Sequence, residues 1–151
     1  SICNPLSCYG LGKYTSEMYL NIYKEKIPSV SMRMFNVYGP GQDMSNLRQG
    51  MVSIFLSQAL FNNQIEVKGS LARFRDFIYI DDVIQANIKA CETKQSGIYN
   101  VATGTSRSFQ DIVDILQSEL GTKLDVEYFP NHYNNYQIDT KADISRTIKK
   151  N

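Results

Sequence analysis

An α/β fold with parallel strands is the expectation from the sequence, on three observations. Helical and extended patterns alternate along the chain, and the apolar run Phe77-Ile78-Tyr79-Ile80 is unbroken, as in a strand covered on both faces. Ser108 with Asp111 three positions later reads as a capping box that opens a helix just after the turn Thr103-Gly104-Thr105.

Taken in order, Pro5 and Ser7 precede a helix from about Tyr9 to Lys26, in which Tyr14, Met18 and Ile22 recur at four-residue steps until Pro28 ends it. Val30, Met32 and Met34 alternate with Ser29, Ser31 and Arg33 as a strand, stopped by Tyr38-Gly39-Pro40-Gly41. From about Leu47 to Phe61 the residues Leu47, Met51, Ile54, Phe55 and Ala59 share one helical face. Asn62-Asn63 then turns the chain into a short strand at Ile65 to Lys68, and a loop from Gly69 to Arg75 carries Arg73 and Arg75. After the Phe77–Ile80 strand, Asp81 or Asp82 can cap a helix to about Cys91. Ile98 to Ala102 is a further strand, and the capped helix runs from Ser108 to Leu120, with Gly121 as its stop. Leu124, Val126 and Tyr128 alternate with Asp125 and Glu127 in a last strand. A tyrosine-rich loop over Pro130 to Gln137 and a short helical tail near Asp143 follow. In such sheets ligands sit at the strand carboxyl ends.

Composition sets bounds on function. The 151 residues, 42% hydrophobic and 21% charged, suffice for one packed core. Sixteen basic residues against fifteen acidic ones leave a net charge of +1, so there is no general positive field for nucleic acid or an anionic membrane, and any anion must be met locally. No apolar stretch nears the roughly 20 residues that span a bilayer, and no signal-peptide pattern opens the chain, so the expected location is the cytoplasm. Three cysteines (Cys3, Cys8, Cys91) and a single histidine, His132, make neither a disulfide framework nor an ordinary zinc site, and no metal is expected.

The sharpest chemical signal is Tyr9-Gly10-Leu11-Gly12-Lys13, which sets a phenol and an ammonium about one helical turn apart on the same face. A nearby ammonium stabilises phenolate, so a tyrosine in this setting can exchange a proton with a sugar or alcohol hydroxyl while a nicotinamide exchanges the hydride. Gly10 and Gly12 each cost a helix roughly 1 kcal/mol relative to alanine, which suggests that close backbone approach is needed there. Standing alone, the pair would read as a chance spacing on a surface helix.

It is joined by two further motifs. Pro5-Leu6-Ser7-Cys8-Tyr9-Gly10-Leu11-Gly12-Lys13 with Glu17, then Arg33-Met34-Phe35-Asn36-Val37-Tyr38-Gly39-Pro40-Gly41-Gln42, then Arg75-Asp76-Phe77-Ile78-Tyr79-Ile80-Asp81-Asp82-Val83 resemble, in this order, the extended short-chain dehydrogenase/reductases. Among these the chain is similar to the NAD-dependent nucleotide-sugar epimerase/dehydratase family, of which UDP-glucose 4-epimerase is a member. The resemblance covers nearly the whole chain. It implies a Rossmann-like NAD(P)-binding fold with a small α/β substrate-binding domain, NAD as cofactor and a nucleotide sugar as substrate. A homodimer is the expected assembly, because loss of an upstream half would expose the apolar faces at Val30–Phe35 and Phe77–Ile80 and favour dimerisation or aggregation. The resemblance makes Tyr9 the acid/base and Lys13 the residue that holds the nicotinamide ribose and lowers the tyrosine pKa. Phe35 becomes a backbone neighbour of the nicotinamide, and Asn36 and Arg75 become ligands of the substrate diphosphate. Val67 and Lys68 match the strand along which the nucleotide base lies, and Asn46 to Val52 the helix start lining the same pocket, with packing an equal alternative for these positions. Asp76, Asp81 and Asp82 are read as structural, His132 as a loop residue and the three cysteines as unremarkable thiols. Tyr128, Tyr133 and Tyr136 either line a sugar pocket or pack the tail.

Residues 1–45 are expected to end a nucleotide-binding domain and 46–151 to form mainly the substrate domain, with about 76–92 returning to the nucleotide-binding sheet. The family's glycine-rich loop and the Ser/Thr partner of its tyrosine match nothing here, so the chain reads as the C-terminal part of such an enzyme and by itself as inactive, its apolar faces at Val30–Phe35 and Phe77–Ile80 left uncovered. Leu71 stands where many relatives have glycine, and Tyr133-Asn134-Asn135-Tyr136 where many have Arg-x-x-Asp. Tyr136-Gln137 with Thr140-x-Ala142-Asp143 looks more like the ADP-heptose epimerase branch. Epimerisation is the expected reaction. The alternatives are dehydration by the same family and a non-catalytic domain that binds a sugar nucleotide or a partner.

Overall fold

The computed structural model describes residues 3–46, 49–131 and 137–149. The elements are α1 (Cys8–Tyr23), β1 (Val30–Met34), β2 (Val37–Tyr38), α2 (Met51–Asn62), β3 (Gln64–Lys68), β4 (Phe74–Asp76), β5 (Ile78–Tyr79), α3 (Ile80–Glu92), β6 (Gly97–Val101), β7 (Ser106–Ser108), α4 (Phe109–Leu120), β8 (Asp125–Phe129), β9 (Asp139–Thr140) and α5 (Ser145–Ile148). Parallel pairing dominates, which makes this an α/β fold of the Rossmann-like type. β1 runs with β6 from Val30↔Gly97 to Met34↔Val101, β2 with β5, and β3 with β8 from Gln64↔Asp125 to Lys68↔Phe129. A small three-stranded sheet, β7-β4-β9, joins them.

Helices lie on both faces of the β1/β6 pair. Glu17, Leu20 and Asn21 of α1 line one cleft with Ser29, Ser31 and Ile98, whereas Val30, Met32 and Tyr99 face Ala86, Lys89 and Ala90 of α3 across a cavity of about 320 Å³. Alternation along β1 therefore sends serines toward α1 and apolar side chains toward α3. The core on this side holds Ile78, Val83 and Val101, with Met32, Val37, Ile80 and Ala86 packed against it. The larger core lies between α2, β3, α4 and β8, where Phe55, Ile65, Val67, Phe109 and Val113 are almost fully buried and the Phe55 and Phe109 rings meet edge to face at 5.8 Å. Both capping partners of α4 are in place: Asp111 N donates to Ser108 Oγ at 3.0 Å and Ser108 N to Asp111 Oδ2 at 2.8 Å. Gly121 ends the helix at φ 63°, a left-handed conformation that glycine adopts without a Cβ clash.

Several local expectations change. α1 ends at Tyr23, three residues before Lys26, and α2 starts at Met51, with Leu47 outside the described residues. The Tyr14, Met18, Ile22 stripe is not an inner face: Tyr14 is half-buried, but Met18 and Ile22 are 51% and 69% exposed. A four-residue step outruns the 3.6-residue turn, so each position rotates further from the sheet. The 69–75 loop ends in β4, whose pairing with β7 and β9 rests on segments distant in sequence. The strand within Phe77–Ile80 is only β5, with Tyr79 37% exposed and Ile78 buried, and Tyr79 rather than an aspartate is the N-cap of α3. Asp81 and Asp82 lie in the first turn, where their charge favours the helix dipole.

Candidate active site

Ser7 begins the site, since its hydroxyl accepts from Gly10 N at 3.1 Å and so starts α1 at Cys8. Tyr9 and Lys13 then fall one turn apart, with the Lys13 ammonium 5.4 Å from the centre of the Tyr9 ring and the phenol side chain open to solvent. α1 is fastened to the sheet by Arg33 of β1. The guanidinium donates from Nε and Nη2 to the two carboxylate oxygens of Glu17 at 2.7 and 2.6 Å, and from Nη2 also to Cys3 Sγ at 3.0 Å. Hydrogen bonding to Glu17, the larger effect, raises the guanidinium pKa further against the opposing effect of burial. Because Arg33 lies near the carboxyl end of β1 and Cys3 precedes the helix, this fork sets the start of α1, and with it Tyr9, at the same end of the sheet as Phe35 and Asn36.

Phe35 continues β1, its N–H donating to Val101 O at 3.1 Å. Asn36 is exposed, and its side-chain amide donates to Asp76 O at 2.8 Å, while Ile78 N donates back to Asn36 O at 3.3 Å. The end of β1 is thereby tied to the Arg75-Asp76 step. Arg75 is buried, its Nη1 donating to Phe74 O at 2.7 Å and Ile138 O at 3.2 Å and its Nη2 to Gln137 O at 2.6 Å. Its guanidinium lies 5.7 Å from the centre of the Phe109 ring. Asp76, fully buried, turns to the opposite side of β4.

Val52 and Val67 serve packing. Val67 is 1% exposed within the larger core and Val52 packs against that core, so contact with a base at Val67 would have to use the backbone. Tyr136 lies outside the described residues, as do His132 and Tyr133. Cys8 and Cys91 are exposed and Cys3 half-buried. Among the described residues no group of three or more His, Cys, Asp or Glu side chains could hold a metal, and no helix is long and apolar enough to cross a membrane. Sequence reasoning missed the partners of the Arg75-Asp76 step, Thr103, Gly104 and the 137–142 strap. They come from 27 to 66 positions away, and nothing local in the sequence links them.

The family model described as "NAD dependent epimerase/dehydratase family" matches residues 1–102, about two thirds of the chain and all of the Tyr9, Asn36 and Arg75 segments. The chain belongs to this NAD-dependent epimerase/dehydratase family. It is 35% identical over 151 aligned positions to the ADP-L-glycero-D-manno-heptose-6-epimerase of Brachyspira hyodysenteriae, covering 94% of this chain and 47% of that protein. Among solved structures it is similar to the UDP-N-acetylglucosamine 4-epimerase of Methanobrevibacter ruminantium M1, with TM-score 0.90, 31% identity and coverage of 97% of this chain and 47% of the other. It is also similar to the UDP-glucose 4-epimerase of Thermus thermophilus in complex with NAD, with TM-score 0.85, 27% identity and coverage of 97% and 49%. The chain spans about half the length, or less, of the curated relatives it matches.

Proposed function

We propose that this chain supplies the proton-transfer and diphosphate-binding part of an enzyme that epimerises a nucleotide-linked sugar. The observation that carries this reading is the Tyr9–Lys13 pair, open to solvent and held by the Arg33 fork at the end of β1 that also carries Asn36. Family membership gives the pair its chemical setting. Bound there, NAD would supply the hydride acceptor and donor for the sugar carbon. Tyr9, Lys13 and the backbone at Phe35 are the residues that would hold it, Tyr9 and Lys13 lying open to solvent one helical turn apart. Tyr9 takes the proton of a sugar hydroxyl through its phenol oxygen and gives it back after the sugar has presented its other face. Lys13 orients a ribose hydroxyl with its ammonium. Asn36 and Arg75 receive the diphosphate, whose oxygens compete for the guanidinium with the carbonyls of Gln137 and Ile138.

The test joins this chain to the amino-terminal half of a family member and incubates it with NAD and, separately, UDP-glucose, UDP-N-acetylglucosamine and an ADP-heptose. Proton NMR is expected to show the epimer of at least one sugar. A folded, NAD-loaded protein that returns all three unchanged overturns the reading.

A further inference from the structure

Asp76 has no place in the proton transfer or the diphosphate contacts, yet its carboxylate accepts four hydrogen bonds. Its Oδ1 accepts from Thr103 N at 2.9 Å and Thr103 Oγ1 at 2.7 Å, and its Oδ2 from Gly104 N at 2.9 Å and Ala142 N at 3.3 Å. The side chain is 0% exposed. No ion pair to it occurs among the described residues, so neutral N–H and O–H donors alone satisfy this buried carboxylate. Gly104 approaches it at φ 75°, and a Cβ there would lie 2.9 Å from Ile144, so the turn that presents these donors requires glycine.

Two neighbours give the arrangement its meaning. The backbone carbonyl of Asp76 accepts the side-chain amide of Asn36, and the preceding Arg75 donates to the carbonyls of Gln137 and Ile138. Residues 75 and 76 therefore grip the 137–142 strap from the two faces of β4, the guanidinium on its carbonyls and the carboxylate on the N–H of Ala142. Ile138 O also accepts from Phe74 N at 3.0 Å, and β9 pairs with β4. A short strand of three residues has little stiffness of its own. Its carboxyl end is held by the Asp76 carboxylate, and the positions of the Arg75 side chain and of the Asn36 anchor depend on that end.

We infer that Asp76 is a positioning residue, whose carboxylate, clamped to the Thr103–Gly104 turn and to Ala142, sets Asn36 and Arg75 in the mutual arrangement that receives a diphosphate. The inference rests on the proposed reading of Asn36 and Arg75 as diphosphate ligands. It adds that the spacing between them is maintained from a third site, with no contact between Asp76 and the ligand.

The 151-residue chain is used for the test, with Asp76→Asn, Thr103→Val and Thr103→Ser. The Asp76→Asn change places an amide donor among donors and threatens folding. Thr103 is exposed, and its valine variant removes the hydroxyl that donates to Asp76 and that also bonds the backbone of Thr105, while the Thr103, Gly104 and Ala142 N–H donors stay in place, so this second variant keeps the test decisive. Two readouts are taken on folded protein: the ¹H–¹⁵N signals of the Asn36 side-chain amide and the Arg75 Nε–H, and the Kd for UDP and ADP by calorimetry. Thr103→Val is expected to move both sets of signals and weaken binding about threefold, Asp76→Asn about tenfold, and Thr103→Ser to restore both readouts. A Thr103→Val chain with a lower Tm but unmoved Asn36 and Arg75 signals and an unchanged Kd overturns the inference and leaves Asp76 a stabilising residue only. If the wild-type chain binds neither UDP nor ADP, the diphosphate reading fails by itself, and the side-chain signals still decide whether Asp76 positions Asn36 and Arg75.

Discussion

Around Phe55 and Phe109, nine buried residues from α2, β3, α4 and their connecting segments close one core, whereas the sixteen residues of α1 include none that is buried. The two regions are similar in apolar content and differ in what meets them. α2 and α4 bring aromatic and aliphatic side chains onto the inner face of β3/β8. α1 turns Glu17, Leu20 and Asn21 to a strand face of serines and Arg33, and leaves Tyr9, Leu11, Met18, Tyr19 and Ile22 exposed. α2, β3, α4 and β8 are therefore held by burial, and among the described residues the helix that carries Tyr9 and Lys13 is tied to the sheet by the Arg33–Glu17 ion-pair fork.

The strongest challenge to this contrast is Phe55→Ala, which empties the larger core and is expected to cost about 3–5 kcal/mol, read from urea unfolding. Loss of stability confined to α1 would contradict it. Arg33→Ala should act the other way. Removing the charged hydrogen bonds to Glu17 is expected to cost about 1.5–3 kcal/mol each as an upper range. Hydrogen exchange should quicken across 8–23 while protection in α2 and α4 is kept. Uniform quickening would show that the two regions unfold as one.

Ser108→Ala removes the cap of α4 and should cost about 1 kcal/mol. Hydrogen bonding from Ser108 N, then from its side chain, holds the Asp111 carboxyl below its ordinary value of 3.8. A carboxyl lowered by folding stabilises fully above its unfolded value and loses that contribution as pH falls through the folded one. Tm measured from pH 6 to pH 2 should therefore drop on the acid side, and less steeply in Asp111→Asn. The smallest effect is expected at Gly12, where an added Cβ would meet nothing within 4 Å. Gly12→Ala should stabilise the chain by up to about 1 kcal/mol by helix propensity, visible as slower exchange in α1 alone.

Much of the fold was legible because its signals are local. The capping box, the Gly121 stop, the serine alternation in β1 and the inner face of α2 with Phe55 and Ala59 all follow from neighbours in sequence. The Tyr9–Lys13 spacing was legible for the same reason. The environment of Arg75 and Asp76 was not, since β4 exists only through pairing with β7 and β9, and Thr103 and Ala142 reach Asp76 across 27 and 66 positions. Period alone also misjudged α1, because Met18 and Ile22 are apolar at helical spacing and yet have no described side chains to cover them.

The most direct measurement of the central claim is the epimerisation rate of Tyr9→Phe in the enzyme formed by joining this chain to a family amino-terminal half. Loss of the phenol oxygen should lower the rate about 10²–10⁴-fold while affinity for the nucleotide sugar is kept. Turnover equal to that of the unsubstituted enzyme would contradict the assignment of proton transfer to Tyr9.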